Sequence, residues 1–494
     1  MGILMVLRDY ASWTSMAGVP RIASASNWPL RIFWTAVWLA MFAIAIYQIW
    51  LIFSKFFAFP ITVTTLLQMK PQEFPVVTIC SSNPYKWGHV DSGDRSMADL
   101  RQLMADYNSM MSSRDYAVHP PDKFKINNVG TYYKKLERVQ EAQVLLANNL
   151  WSGTRGQMAY TFSELIKDCT YNDVHCGESD FERILDPIYG ACFAFNPNAS
   201  RMTYRAGMKS GLRILADVQF ETMLGKEYSF FPTTQTVGLR IRISGKNIDP
   251  AMESYGIPVA TGAQTKIGLK LTEIKRMKRP YGICVEKHSK ETFYPNHKYT
   301  LDVCMRSCSQ RRIVETCGCA HPRYGIPMNA RICGTEAQDC LLGLRENRSW
   351  NPLAECKCNP SCDEIQYYTT ISLGRYHAGE CSPDKVRVEF RTKAERNADD
   401  LKQASKKCHK YHQKNFALLN VFFDTLNSEL LKEEAAYPAL SVLIELGGQI
   451  MLWLGISIIS VIEMIGLLLV VAMYAIKGRR LKTRPAEEEL NRNN

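Results

Sequence analysis

Two carboxylates, Glu445 and Glu463, sit in or just above an apolar run, LSVLIELGGQIMLWLGISIISVIEMIGLLLVVAMYAIKGRR, that is long enough to cross a bilayer. Gly447, Gly448, Gln449, Gly455 and Ser457 interrupt the same run. A membrane anchor needs only apolar side chains, so these groups point to a surface that faces water or an ion. A carboxylate facing lipid at membrane depth costs roughly 3 kcal/mol, which places Glu463 against a pore or a partner. Neither apolar run supplies a Lys or Arg at that depth. In one helix at about 100° per residue, Glu445 and Glu463 share a face, and Gly448 and Gly455 lie within about 80° of it. Ser457 lies about 120° from both glutamates, so one straight helix cannot turn every polar group to one water path. A break at Gly455-Ile456-Ser457 resolves the conflict, because non-helical backbone survives at that depth only where it lines a cavity or is buried in protein. Small-residue packing between helices explains a lone Gly-x-Ser equally well. The flanking glutamates favour a pore.

The rest of the chain has to position that segment. A first apolar run, Ile32 to Ser54, carries no charged residue over 23 positions, or about 35 Å of helix. It is too long for a signal peptide and has no Ala-x-Ala-like site after it. The formal charge of +12 is partly explained by basic residues beside the two runs: Arg8, Arg21 and Arg31 before the first, Lys477, Arg479, Arg480, Lys482 and Arg484 after the second. Basic flanks mark the retained side of a membrane, so the excess calls for no nucleic-acid partner. The expected topology is a cytosolic N-terminus (1–31), a span (32–54), an extracellular domain (55–440), a second span (441–476) and a cytosolic tail (477–494), with both termini cytoplasmic in the plasma membrane.

All 16 cysteines fall between Cys80 and Cys408, in the loop predicted to lie outside. An even number confined to one compartment predicts disulfides. Two sequons, at Asn198 and Asn347, lie in the same loop and are candidate glycosylation sites. CKCNPSC and CGC lack the paired spacing of a zinc finger, so no metal is expected beyond a permeating cation, and no cofactor is implied. In this loop, SMADLRQLMADYNSMM and TYYKKLERVQEAQVLLANNLW have helical periodicity, and EFPVVTIC, GLRILADVQF, TVGLRIRIS, TKIGLKLTEI and DKVRVEFRTK read as strands. NADDLKQASKKCHKYHQKNFALLN reads as a polar helix. Residues 284–362 hold ten cysteines. The expectation is an α+β, disulfide-rich domain.

Three motifs in order carry a resemblance. FPVVTIC (74–80), the series YTLDVCMRSCSQRRIVETCGC with CKCNPSC, and LGISIISVIE are similar to the strand after the first span, the thumb and the second-span signature of the degenerin/epithelial sodium channel superfamily. The resemblance implies a trimer, taken here as a homotrimer, with a hand-like extracellular domain: a finger-like region at 81–210, a palm and a thumb at 284–362. It implies the pairs Cys80–Cys192, Cys169–Cys176, Cys284–Cys362, Cys304–Cys358, Cys308–Cys356, Cys317–Cys340 and Cys319–Cys333, and Cys381–Cys408 remains by subtraction. It makes Gly455, Ile456 and Ser457 the selectivity filter, whose carbonyls ring a sodium ion. It puts a gate near Glu445 and Gly448, and a cation-concentrating ring at Glu463. MAGVPRIASASN resembles the His-Gly gating motif, with Ala17 in place of the His before Gly18; its Pro-Arg-Ile resembles peptide-gated members. Tyr281-Gly-Ile-Cys284 resembles the Trp-Gly-x-Cys at the thumb base, with Phe57 or Phe59 as the partner that couples it to the first span.

The expected function is a sodium-selective channel opened by an extracellular neuropeptide of the FMRFamide type. A proton-gated or constitutively active channel is the alternative within the family, and a non-conducting receptor on two anchors the alternative outside it. An amidated Arg-Phe peptide calls for carboxylates beside aromatics. CGESDFERILDPIYGACFAF offers Asp180, Glu182 and Asp186 among Phe181 and Tyr189, unless it is merely a solvated helix with a packed aromatic face.

Overall fold

The computed structural model describes residues 2–91, 94–112, 123–126, 130–220, 236–286, 292–346, 350–377, 381 and 398–477. Asn347 and the strand expected at DKVRVEFRTK lie outside them. The chain divides into two units. The first comprises residues 1–63, 280–282 and 433–494, and the second comprises 64–279 and 283–432.

In the first unit, helix Trp28–Phe57 has 30 residues and contains an 18-residue stretch of mean hydropathy 2.1 that is largely unburied, so it is long and apolar enough to span a membrane. Ala45 and Ile52 are its buried positions. Ile52 and Phe56 pack on Tyr437, Val442 and Leu446 at the start of helix Ala439–Leu454. That helix and helix Ile458–Lys477 meet at a bend of 77° and pass the same test of length and apolarity only as a pair. Before the first span the chain forms two further helices, Gly2–Trp13 and Val19–Ser24.

The second unit is built on two sheets. Strand Ala263–Lys275 anchors the larger one: along one edge it pairs antiparallel with Asp363–Arg375, along the other parallel with Phe416–Phe423 and then Asn427–Ala435. Leu212–Asp217 and Ile166–Tyr171 continue the sheet. The smaller sheet runs Ile257–Ala260, Gly238–Ser244, Val76–Ser81, Gly190–Phe195, Phe181–Asp186. Val76–Ser81 is central there and buried throughout, which is why its sequence reads as an unbroken apolar run. Phe74, Ile79, Phe193, Phe195, Ile214, Leu269 and Phe423 form one core with both sheets around it. Helix Tyr132–Asn149 starts at Thr131, whose hydroxyl accepts from the Lys134 amide at 3.4 Å, and buries Leu136, Val139, Ala142 and Leu145.

Ten cysteines make five bridges around helices Leu301–Cys317 and Gln338–Glu346: Cys284–Cys362, Cys304–Cys358, Cys308–Cys356, Cys317–Cys340 and Cys319–Cys333. Helix Leu301–Cys317 buries only Val303, Ser307 and Gln310, so bridges worth on the order of 2–4 kcal/mol each stand in for a core. Cys80–Cys192, Cys169–Cys176 and Cys381–Cys408 complete the eight pairs. Two elements depart from expectation. NADDLKQASKKCHKYHQKNFALLN is helical only to Asn415; FALLN begins a buried strand, because the pattern turns continuously apolar there. The stretch around Asp180 and Asp186 is a hairpin of Phe181–Asp186 and Gly190–Phe195, whose Phe181 and Leu185 pack against the main core.

Candidate functional site: a broken apolar helix and its N-terminal partner

Helix Ala439–Leu454 ends where Gly455 adopts φ 62°, a left-handed conformation that favours glycine, and donates its amide to Met451 O at 3.0 Å. Gly455, Ile456 and Ser457 are not helical. Helix Ile458–Lys477 restarts on Ser457, whose hydroxyl accepts from the Ser460 amide at 3.3 Å. Ser460 Oγ in turn accepts from the Ser457 amide at 3.1 Å. The break expected at these three residues is therefore present, and hydroxyls satisfy part of its freed backbone.

The chain N-terminal to the first span meets this break. Ala17 donates its amide to Leu454 O at 3.2 Å, and a side chain on Gly455 would run into Ala17. Gly18 has φ 85°, a backbone conformation that favours glycine, and a Cβ there would lie a tight 3.1 Å from Trp38 Cδ1. Ser15 Oγ lies 2.6 Å from Ser460 Oγ, which is fully buried. Glu463 Oε2 accepts from the Thr14 hydroxyl at 2.9 Å and from the Ser15 amide at 2.9 Å and hydroxyl at 3.1 Å. Its partners are thus neutral donors, where the sequence placed it against a pore or an unnamed partner and offered no basic residue at that depth. Thr14, Ser15 and Ser460 were missed by sequence reasoning; only the polar TS and IIS around otherwise apolar residues hinted at them.

At the other end of the helix, Glu445 is exposed and accepts from the Tyr437 hydroxyl at 2.5 Å. Lys55 Nζ lies 4.3 Å from the centre of the Tyr437 ring. Gly447 and Gly448 are exposed. Phe59 and Tyr281 meet edge to face with centroids 5.2 Å apart, while Phe57 is exposed and touches Phe59. Residues 280–282 belong to the membrane-helix unit although the chain on either side belongs to the other.

Within the second unit, Asp180 pairs with Arg201 and accepts from the Gly177 amide at 3.0 Å. Phe181 packs on Phe162 and Phe195, and Tyr189 is buried, leaving Glu182 exposed. Asp186 accepts from the amides of Ile188 and Tyr189 at 2.8 and 2.9 Å, and burial raises its carboxyl above the usual range. Asp186 lines a cavity of about 370 Å³ with Asp249, Glu253, Tyr294, Arg306 and Tyr324. Arg306 pairs with Asp249 and faces Asp302, whose carboxyl is likewise raised by burial. A second cluster, unforeseen from sequence, surrounds Glu141. This carboxylate, 1% exposed, is bound by His321, by Arg323 at 3.3 Å and by Arg345 at 3.1 Å. Burial pushes it up, but the His321 hydrogen bond and the charges of His321, Arg323 and Arg345 outweigh that and bring it to about 2. Asn198 is exposed.

Similarity to known proteins fits this arrangement. The profile of the amiloride-sensitive sodium channel family matches residues 10–467, from the N-terminal segment through the break. The chain belongs to that family. It is 33% identical to a degenerin-like protein, asic-2, of Caenorhabditis elegans, over 99% of this chain and 90% of that protein. It is 31% identical to degenerin del-1 of the same nematode, over 72% of this chain and 52% of the relative. Against degenerin mec-4 of Caenorhabditis briggsae the figures are 30%, 64% and 40%, so the chain spans about half or less of the length of these two relatives. Channels of the amiloride-sensitive sodium channel family are not enzymes, and they sit in the plasma membrane.

Proposed function

We propose that this chain forms a sodium-selective channel as a homotrimer, with Gly455, Ile456 and Ser457 as its filter and the bent pair of helices as one pore-lining span. The observation that carries the reading is the break itself. An apolar helix is interrupted at the one tripeptide where a straight helix would misdirect its polar groups, and the interruption is held by Ser460 and the N-terminal segment. Three such tripeptides around an axis would present carbonyl dipoles to a dehydrated cation. Glu463 on each chain adds charge on the inner side, and Glu445 with Gly448 forms the outer mouth. Both termini are cytoplasmic in this reading, and the disulfide-bonded unit is extracellular, with sugar at Asn198 and Asn347.

The gating ligand in this reading is an extracellular neuropeptide of the FMRFamide type. The Pro-Arg-Ile extension after Gly18 supports it, and so does the thumb–finger contact at Glu141, which ordinary acid cannot titrate. The aromatic and acidic cavity that includes Asp186 suits a cationic, aromatic peptide end better than the hairpin itself, where Asp180, Phe181 and Tyr189 are engaged internally. One observation favours a second reading, proton sensitivity: Asp186 and Asp302 both have raised carboxyls beside Arg306. Currents recorded in cells expressing the chain, under a panel of amidated peptides and under acid steps, separate the two. A peptide response with a reversal potential that follows the sodium gradient is expected. Acid responses without any peptide response would reverse the order, and surface trimers that conduct under neither would return the chain to the receptor class.

A further inference from the structure

The helix Ala398–Asn415 carries two of the chain's nine histidines, His409 and His412, and the proposed pore uses neither. His409, half-buried on that helix, faces His377, exposed just beyond the end of strand Asp363–Arg375, with ring centroids 4.8 Å apart and planes inclined at 56°. That inclination is neither a stack nor an edge-on contact. It does suit two imidazoles converging on one ion. With metal–nitrogen bonds of about 2.0–2.1 Å and a tetrahedral angle, two ring centres fall roughly 5 Å apart.

The two rings are held together by covalent structure. Cys381, four residues after His377, is bonded to Cys408, which adjoins His409. The Ser405 hydroxyl donates to Cys381 O at 2.6 Å, and the Tyr376 amide donates to Gly262 O at 3.0 Å, so both segments are tied on each side of the pair. A ligand pair fixed in advance loses little freedom when an ion arrives. His412, one turn further on, is stacked on Phe416 with centroids 4.3 Å apart and is not needed for this pair.

We propose that His377 and His409 form an extracellular binding site for a borderline divalent transition-metal ion, of the zinc or copper(II) class. Imidazole nitrogens select these ions over calcium and magnesium, which prefer oxygen. Two protein ligands leave positions for water, so the ion is exchangeable. Lys406, Lys407 and Lys410 are exposed on the same helix and oppose it electrostatically. Binding therefore strengthens as salt screens them, the reverse of adventitious binding to surface carboxylates. Both imidazoles bind the ion in their neutral form.

The test is calorimetric titration of Zn²⁺ into the purified full chain in detergent, after chelation and at pH 7.5. It is independent of whether the channel opens. One site per chain is expected, weakened on the order of tenfold or more in His377→Ala and equally in His409→Ala. It should be intact in His175→Ala, an exposed histidine beside Asp168. Non-reducing peptide mapping must show the Cys381–Cys408 bond in each variant, so that loss of binding is not loss of fold. Copper(II) loaded at one equivalent should give an electron paramagnetic spectrum with couplings from two imidazole nitrogens. Unchanged titrations in both variants, loss in only one of them, or coupling to a single nitrogen would each overturn the site.

Discussion

Substituting Gly455 by Ala tests the break and its N-terminal partner together. Alanine in the left-handed region costs about 1–2 kcal/mol. The new methyl would lie 2.9 Å from Ala17 N and 3.2 Å from Ala17 Cα, and closer still to its Cβ, against ordinary contacts of about 3.5–4.0 Å. The N-terminal segment must withdraw, and the Ala17 amide bond to Leu454 O, worth about 1 kcal/mol net, goes with it. Together these weigh roughly 2–3 kcal/mol against the present arrangement, about a 30- to 150-fold shift in its population. Surface biotinylation should find trimers at the membrane, while whole-cell current collapses or the reversal potential moves toward that of potassium. The double variant with Ala17→Gly removes the methyl–methyl clash but not the backbone cost, so it should recover part of the current and not all. Gly455→Ala with wild-type current and an unchanged sodium reversal potential would refute both the filter assignment and the contact with Ala17.

Glu463→Gln leaves the Thr14 and Ser15 donors a neutral acceptor, so the segment should stay docked while single-channel conductance falls, most at low salt; unchanged conductance means the carboxylate does not face the ion path. Tyr281→Ala removes the edge-to-face contact with Phe59 and should leave trimers at the surface that bind ligand but open poorly, as surface labelling with peptide dose–response curves would show. Glu141→Gln strands His321, Arg323 and Arg345 around a neutral group and should destabilise the disulfide-rich unit by about 3–5 kcal/mol, read as faster amide exchange along helix Tyr132–Asn149 at pH 7. Because the native Glu141 carboxyl is depressed, its contribution is complete above the ordinary carboxylate range and is lost as pH falls from there through about 2, so wild-type protection there, corrected for the intrinsic pH dependence of exchange, should be the same at pH 7 and pH 6. Asp186 and Asp302 have the opposite sign: their raised carboxyls favour the fold when protonated and lose that advantage as pH rises, so Asp186→Asn should preserve the turn and blunt any acid response.

Periodicity alone located the helices over 98–112 and 132–149 and the strands over 212–217, 238–244 and 263–275, because each buries one face or both. The disulfide partners could not be read from spacing, since ten cysteines within 284–362 allow many pairings; likeness to a family named seven, subtraction gave Cys381–Cys408, and the same eight pairs are present. The hairpin at Phe181–Phe195 was opaque because acids and aromatics alternate there at spacings that suit a helix face and a strand about equally. The break at Gly455 was legible from helical geometry, but its partner was not: Thr14 and Glu463 are 449 residues apart, and no local pattern reports a contact at that separation. The Glu141 cluster was hidden for the same reason, its cations coming from the thumb and its carboxylate from a helix about 180 residues earlier.

The two ionic clusters of the disulfide-rich unit bear on what can open such a channel. Glu253 and Arg323 line both the cavity at Asp186 and the smaller one at Glu141, so the clusters share a wall. Acid reaches them unequally. Protonating Asp186 and Asp302 removes negative charge facing Arg306, yet leaves Glu141 ionised and its hold on Arg323 and Arg345 intact. A proton can therefore alter the cavity without parting helix Tyr132–Asn149 from the thumb residues that grip it. A cationic peptide in the same cavity, as proposed above, would compete with Arg306 for Asp249 and with Arg323 for Glu253. Drawing Arg323 from Glu253 changes the balance at Glu141 as well, since the guanidinium serves both carboxylates. A ligand there would thus have a route into the buried lock that pH lacks, which is the physical ground for the order of the two proposed stimuli.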